Sequence, residues 1–377
     1  MSSIYLDYAA ATPIDSQVLV AMQPYFSRQF YNPSEIYLAA RAVRRDLENA
    51  RAIVARCLGT KPAEIIFTAG ATEANNLAIQ GIMRRFPDGE ALVSAIEHES
   101  VLAPAKLFKH RLIPVTKEGI VELDKLTKMI TPKTVLVSVM LVNNELGTIQ
   151  PLSQIAQILN KLSISRNSKT PIYLHTDAAQ APNYLDLSTA RLGVDLLSLN
   201  SGKIYGPKQS GILFVKAGLK LEPLILGGGQ EFNLRSGTEN VAGAIGLAKA
   251  LELAGRRRPA EAKRVTKLRQ LFIDELGQRL PAMRVNGSSK HQAPHLLSLT
   301  FPGYDNERLM MELDERGIQV AVGSACATSS AKPSHVLAAI GLSDQLAQAT
   351  LRISLGRSTT IADIKKTATA LSQLVNK

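Results

Sequence analysis

Three stretches set reactive or anion-seating residues directly after short apolar runs. SLNSGKIYGPK (198–208) carries Lys203 in a tight turn of Asn, Ser and Gly. PIYLH (171–175) is followed by TDAAQ, which holds Asp177 and, three residues on, Gln180; IIF (65–67) is followed by TAGATEANN. Each alone has an ordinary explanation: a solvated lysine, an acid that caps a helix, small residues opening a helix. Together they are more demanding. An amine able to form a Schiff base, an acid to pair with a pyridinium nitrogen and a helix N-terminus whose N–H groups seat a phosphate are what pyridoxal phosphate needs.

The elements that must position these residues are legible in the apolar pattern. Runs rich in Val, Ile and Leu recur at 65–67, 91–96, 111–115, 134–140, 171–175, 195–199 and 211–215, with helix-like segments between several of them. That alternation predicts an α/β domain with a mainly parallel seven-stranded sheet covered on both faces, and such sheets bind ligands beyond the carboxyl ends of their strands. Val43, Leu47, Ala50, Val54 and Cys57 step by four and three residues as one helical stripe, and Gly59 follows as a C-cap. Cys57 on that stripe reads as structural. From 256 the texture changes to a basic helical stretch, strand-like LLSLTF (296–301), a helix around NERLMMELDERG and strand-like RISL (352–355). The expected division is a large cofactor-binding domain over 14–255 and a smaller α+β domain from 1–13 and 256–377.

Composition removes several classes of function. With 45% apolar and 20% charged residues in 377, the chain has a globular profile. It contains no apolar run of about 18 residues, and MSSIYLDYAA lacks the layout of a signal peptide, so a cytoplasmic location is expected. The two cysteines, Cys57 and Cys326, show neither disulfide nor metal-site spacing, so any cysteine chemistry belongs to a single thiol. The formal charge of +12 fits an RNA or acidic protein partner, and equally a generally basic proteome. RRR at 256–258 is the one basic block, and no nucleic-acid module pattern accompanies it, which argues against direct nucleic-acid binding.

The stretches YLDYAAATP, NPSE, IIFTAGATEANN, EHESV, VNNELG, HTDAAQ, KIYGPK, GGGQE, LRSGTEN, GSACATSS and LRISLGR fall in an order and spacing similar to those of the cysteine desulfurases, pyridoxal-phosphate enzymes of the class V aminotransferase group. The likeness runs over essentially the whole chain and implies a PLP-dependent transferase fold of the aspartate aminotransferase type. It implies that Lys203 binds the cofactor as a Schiff base and shuttles the Cα proton, that Asp177 pairs with the pyridine nitrogen, that Gln180 bonds the phenolic oxygen with Asn144 bordering the same edge, and that His98 stacks on the ring. Ala71 and Thr72 would meet the phosphate, and Thr238 would reach it from the neighbouring subunit of a homodimer. Arg352 would clamp the substrate carboxylate, a task suited to its bidentate fork, with Asn144 beside it. Cys326 would take sulfur from L-cysteine as a persulfide, release alanine and hand the sulfur to an acceptor protein, an iron–sulfur scaffold or a tRNA-thiolation enzyme. GSACATSSAK has no large apolar residue, a loop composition, and resembles the long form of the family's cysteine loop.

The likeness fails in two places. Many members have Ser-Gly-His before the lysine; this chain has Asn200, Ser201 and Gly202. Either Asn200 and Ser201 take over the phosphate contacts or the local alignment slips; the ungapped count from Asp195 favours the first. The chain also stops soon after LGRSTT and one helix, whereas several scaffold-feeding relatives carry a further tail. Two other functions remain open: a class V enzyme acting on selenocysteine or another amino acid without a protein persulfide, and a non-enzymatic basic platform for RNA or protein on a decayed fold.

Overall fold

A computed structural model describes residues 3–165, 170–323 and 333–376. All seven apolar runs are strands of one sheet. Its spatial order is Ile65–Thr68, Gly211–Val215, Leu196–Asn200, Tyr173–Asp177, Thr134–Ser138, Glu90–Ser94, His110–Ile113. Gly211–Val215 runs antiparallel to both neighbours; the remaining pairs are parallel. Most strands are buried along their whole length, which is why they read as continuous Val/Ile/Leu runs rather than alternating ones.

Two apolar cores flank the sheet. One packs Leu77, Ile79, Ile82, Val101 and Leu102 of the following helices against one face. The other includes Val43's neighbours on the Leu38–Leu58 helix, Leu47, Ala50 and Val54, and the first part of the Val241–Arg279 helix. Gly59 ends the Leu38–Leu58 helix in the left-handed region, φ 67°, as the stripe predicts. Cys57 is half-buried against this core, and burial pushes its thiol pKa up, the setting of an inert thiol.

A third core gathers Leu268, Phe272, Leu276, Leu297, Leu299, Leu351 and Ile353 around a three-stranded antiparallel sheet, Thr350–Ser354, Leu296–Thr300 and Arg284–Asn286. Ile4–Tyr5 pairs in parallel with Ile318–Gln319 beside it. The 39-residue helix Val241–Arg279 runs unbroken through residue 255, with Ala250 and Leu251 in the large core and Val265 onward in the small one. Ala293, Leu296, Val336, Leu337 and Ile340 also pack into the large core, so the two bodies interlock. Among the described residues, no helix is long and apolar enough to cross a membrane.

Candidate active site

The strand ends deliver their side chains to one cavity of about 210 Å³. Its lining includes Ala71, Thr72, His98, Asn144, Asp177, Gln180, Asn200, Lys203 and Arg352, nine of the positions the sequence singled out. A second hollow of about 570 Å³ continues from it past Gly70, Ala71, Thr72, Gly202 and Lys208.

Asp177 closes the strand Tyr173–Asp177 and is 5% exposed. It is no helix cap: its Oδ1 accepts from the Ala179 N–H at 2.9 Å, and its Oδ2 from Asn75 Nδ2 at 2.7 Å. Asn75 lies one turn into the helix Ala71–Arg85, which starts after Gly70 at φ 143°, a conformation that requires glycine. The first N–H groups of that helix have no intrahelical acceptor and face the second hollow, a ready anion seat. Asn75 Nδ2 also donates to Ser100 Oγ at 2.8 Å, and Ser100 Oγ lies 2.8 Å from His98 Nδ1. His98 Nδ1 accepts from the Ser100 N–H at 3.1 Å as N-cap of the helix Glu99–Ala105, which places the ring proton on Nε2. A continuous hydrogen-bonded path thus joins the Asp177 carboxylate to the His98 imidazole.

Glu97, next to His98, is fully buried, and its Oε1 accepts from the Met140 N–H at 2.5 Å. Burial, with the Asp177 charge adding to it, pushes its pKa up to about 8. At neutral pH Glu97 therefore keeps its proton.

Lys203 ends the short 3-10 turn Ser201–Lys203, and its amine donates to the Ala10 carbonyl. Asn200 Oδ1 accepts from the Gly202 N–H at 3.0 Å, so it shapes the turn while lining both hollows. Ser201 is not brought to the cavity: its hydroxyl is buried without a partner, and a Cβ placed on Gly206 would lie 2.0 Å from it. Lys208, whose Nζ donates to the Thr12 carbonyl at 2.9 Å, brings a cation to the hollow where a Ser-Gly-His motif would bring an imidazole.

Gln180 donates from Nε2 to the Ala9 carbonyl at 3.0 Å, and its Oε1 lies 3.3 Å from His295 Nε2. His295 stacks on Tyr184 at 4.2 Å; burial and the Arg352 charge push its pKa down to about 3, so it is a neutral prop. Arg352 enters from the small sheet, with Nη2 on Asp7 Oδ1 at 2.7 Å and Nη1 on the Asn144 carbonyl at 3.4 Å. Arg357 is structural, stacked on Tyr205 and bonded to Asp15. Thr238 lines a neighbouring cleft with Arg235 and Asn240 rather than the Lys203 cavity of its own chain. Cys326 lies outside the described residues, and among those described no cluster could hold a metal ion.

The Aminotransferase class-V family model matches residues 4–367. The cysteine desulfurase IscS of Dictyoglomus turgidum is 40% identical over 99% of this chain and 95% of its own, and a human cysteine desulfurase is 38% identical over 99% and 82%. The chain belongs to the class V aminotransferase family, among its cysteine desulfurases. Solved structures agree: a NifS-like protein superposes with a TM-score of 0.91 at 32% identity over 99% of both chains. SspA in complex with cysteine superposes with a TM-score of 0.82 at 35% identity, covering 94% of this chain and 99% of that one. Enzymes of this family depend on pyridoxal phosphate, and the cavity fits that group. It offers an amine, a carboxylate held by two donors, an imidazole and a helix N-terminus in one lining.

Sequence reasoning in this desulfurase missed Asn75, Ser100, Glu97 and Asp7. Asn75 and Ser100 are an amide and a hydroxyl inside helices, with no periodic signal to mark them. Asp7 sits in the quoted YLDYAAATP stretch, but nothing local ties it to a partner 345 residues away.

Proposed function

We propose that this chain removes sulfur from L-cysteine, leaving alanine, with the sulfur carried as a persulfide on Cys326 to an acceptor protein. The observation that carries this reading is the convergence of Lys203, Asp177, His98 and Arg352, from three parts of the large sheet and one strand of the small one, on a single cavity. Bound pyridoxal phosphate supplies an electron sink for the bond changes at the substrate Cα. Asp177 would pair with its ring nitrogen. Ala71 and Thr72 would seat the phosphate at their helix N-terminus, with Asn200 and Lys208 beside them. His98 would cover the ring face. Arg352 holds the substrate carboxylate, and the Lys203 amine takes the Cα proton and returns it.

The thiolate of Cys326 attacks the substrate Sγ; the C–S bond breaks as the S–S bond forms, and the carbon ends protonated in alanine. Two chains make a homodimer in which Thr238 of each serves the other's phosphate seat, which accounts for its place outside its own cavity. Arg256 pairs with Glu252, Arg257 with Asp15, and Arg258 with Asp186 and the Leu185 carbonyl.

The test is a single turnover of the cofactor-loaded protein with L-cysteine, measuring alanine beside alkylated persulfide by mass spectrometry. Equal amounts of both, with the label on Cys326, are expected. Alanine without persulfide, or full sulfur release by Cys326→Ser, would instead fit a selenocysteine-type lyase.

A further inference from the structure

Arg352 is 3% exposed and lines the cavity of Lys203 and Asp177. A guanidinium buried to that degree needs a partner even with no substrate present, because an unpaired buried charge is strongly disfavoured. Asp7 is that partner, with its Oδ1 2.7 Å from Nη2. The contact uses one carboxylate oxygen and one guanidinium proton. A second proton goes to the Asn144 carbonyl at 3.4 Å, and Nε has no partner at all. A guanidinium has five N–H donors, so the arrangement fixes its plane while leaving donors for another carboxylate.

Asp7 is itself fixed. Its carbonyl accepts from the Tyr5 hydroxyl at 2.9 Å and the Ala10 N–H at 3.0 Å, and it bridges to Ser354, two residues beyond Arg352. The segment then passes over the cavity: the Ala9 carbonyl takes Gln180, the Ala10 carbonyl takes Lys203, and Thr12 bonds Gly202 and Tyr205. One short stretch of chain thereby registers the arginine of the small body against the lysine turn of the large one.

We infer that Asp7 is the positioning residue that sets the Arg352 guanidinium toward the α-carboxylate of the substrate amino acid. This rests on the reading of Arg352 as the carboxylate clamp. A carboxylate beside an arginine can also act as a competitor for it. The single-oxygen contact and the unused donors decide for positioning, since a guanidinium already oriented loses less freedom when substrate binds.

The test compares the cofactor-loaded wild type with Asp7→Asn and Asp7→Glu, on L-cysteine and on L-cysteine methyl ester, which keeps the thiol and amine but presents no carboxylate. Asp7→Asn is expected to raise the KM for L-cysteine about tenfold, the scale of one charge-assisted hydrogen bond. It should leave kcat and the methyl ester KM within about twofold, and Asp7→Glu should recover most of the loss. Parallel losses on both substrates would reduce Asp7 to a structural role, and an unchanged or lower KM for cysteine would make it a competitor; either overturns the inference. Calorimetric binding of L-alanine against L-alaninamide reads the same contrast without turnover. A wild type inactive on cysteine would sink the functional reading and still leave Asp7 tested.

Discussion

At Gly202 the turn before the lysine has room for the first carbon of the side chain it lacks. A Cβ there meets Asn200 Oδ1 at 3.5 Å and Lys208 Cγ at 3.6 Å, ordinary contacts, and its φ is not in the glycine region. Gly202→His is therefore expected to slow loss of bound pyridoxal phosphate several-fold, the scale of one added hydrogen bond, as followed by absorbance during dialysis. An unchanged rate would show that Lys208 and the helix N-terminus already suffice. Asn75 offers the converse test. Its amide serves both Asp177 and Ser100, so Asn75→Ala leaves a buried carboxylate short of a donor; kcat should fall about tenfold or more with the fold retained by circular dichroism. The lysine and the aspartate were legible because reactive residue types follow apolar runs at strand ends; Arg352, inside the strand Thr350–Ser354, was reached only through the family resemblance. Asn75 was not, because its worth lies in a partner 102 residues distant.

The strand Ile65–Thr68 leads into the phosphate helix yet is an edge of the sheet with one paired neighbour. Its open side is closed by side chains rather than by another strand. Arg51 Nη1 donates to the Ile65 carbonyl at 2.7 Å, and Glu231 Oε2 accepts from the Phe67 N–H at 2.8 Å, while the two side chains form a bidentate pair. Arg51 also lies over the rings of Phe67 and Phe232. Glu231, Phe232 and Asn233 all have positive φ, so the pair also holds three consecutive residues in the left-handed region. Glu231→Ala removes the buried bidentate partner of Arg51 and leaves it the half-exposed Glu48 at 3.1 Å, so a loss of about 3 kcal/mol in denaturant unfolding is expected; a loss under about 1 kcal/mol would mean that Glu48 and the Ile65 carbonyl suffice to hold the edge. The strands and the Leu38–Leu58 helix were readable from apolar spacing. The continuity of the helix Val241–Arg279 was not, because the texture changes at 256; the three arginines of that block pair with Glu252, Asp15 and Asp186.

At the scale of the whole molecule, three buried titrating groups shape stability against pH. His175, bonded to Ser138 and Ser198, and His295 are held neutral by burial, each lowered from 6.5 to about 3. The unfolded chain binds their protons first, so their contribution is present above pH 6.5 and is lost as pH falls toward 3. Glu97 is raised from 4.5 to about 8, so its contribution is present below 4.5 and is lost as pH rises toward 8. From these groups alone, stability rises to a maximum near pH 6.5 and then falls by about 1.4 kcal/mol per pH unit toward pH 8. Glu97→Gln should flatten the alkaline limb in urea unfolding across that range; a limb of unchanged slope would remove Glu97 as its cause.

Catalysis at this cavity requires that one lysine, at the end of one strand, bind the cofactor opposite Asp177. Reducing the pyridoxal phosphate-loaded protein with borohydride, digesting it and sequencing the fluorescent peptide by mass spectrometry reads this directly. The pyridoxyl group is predicted on Lys203. Its appearance on Lys208, whose amine reaches the same hollow, or on any other lysine would contradict the arrangement described here.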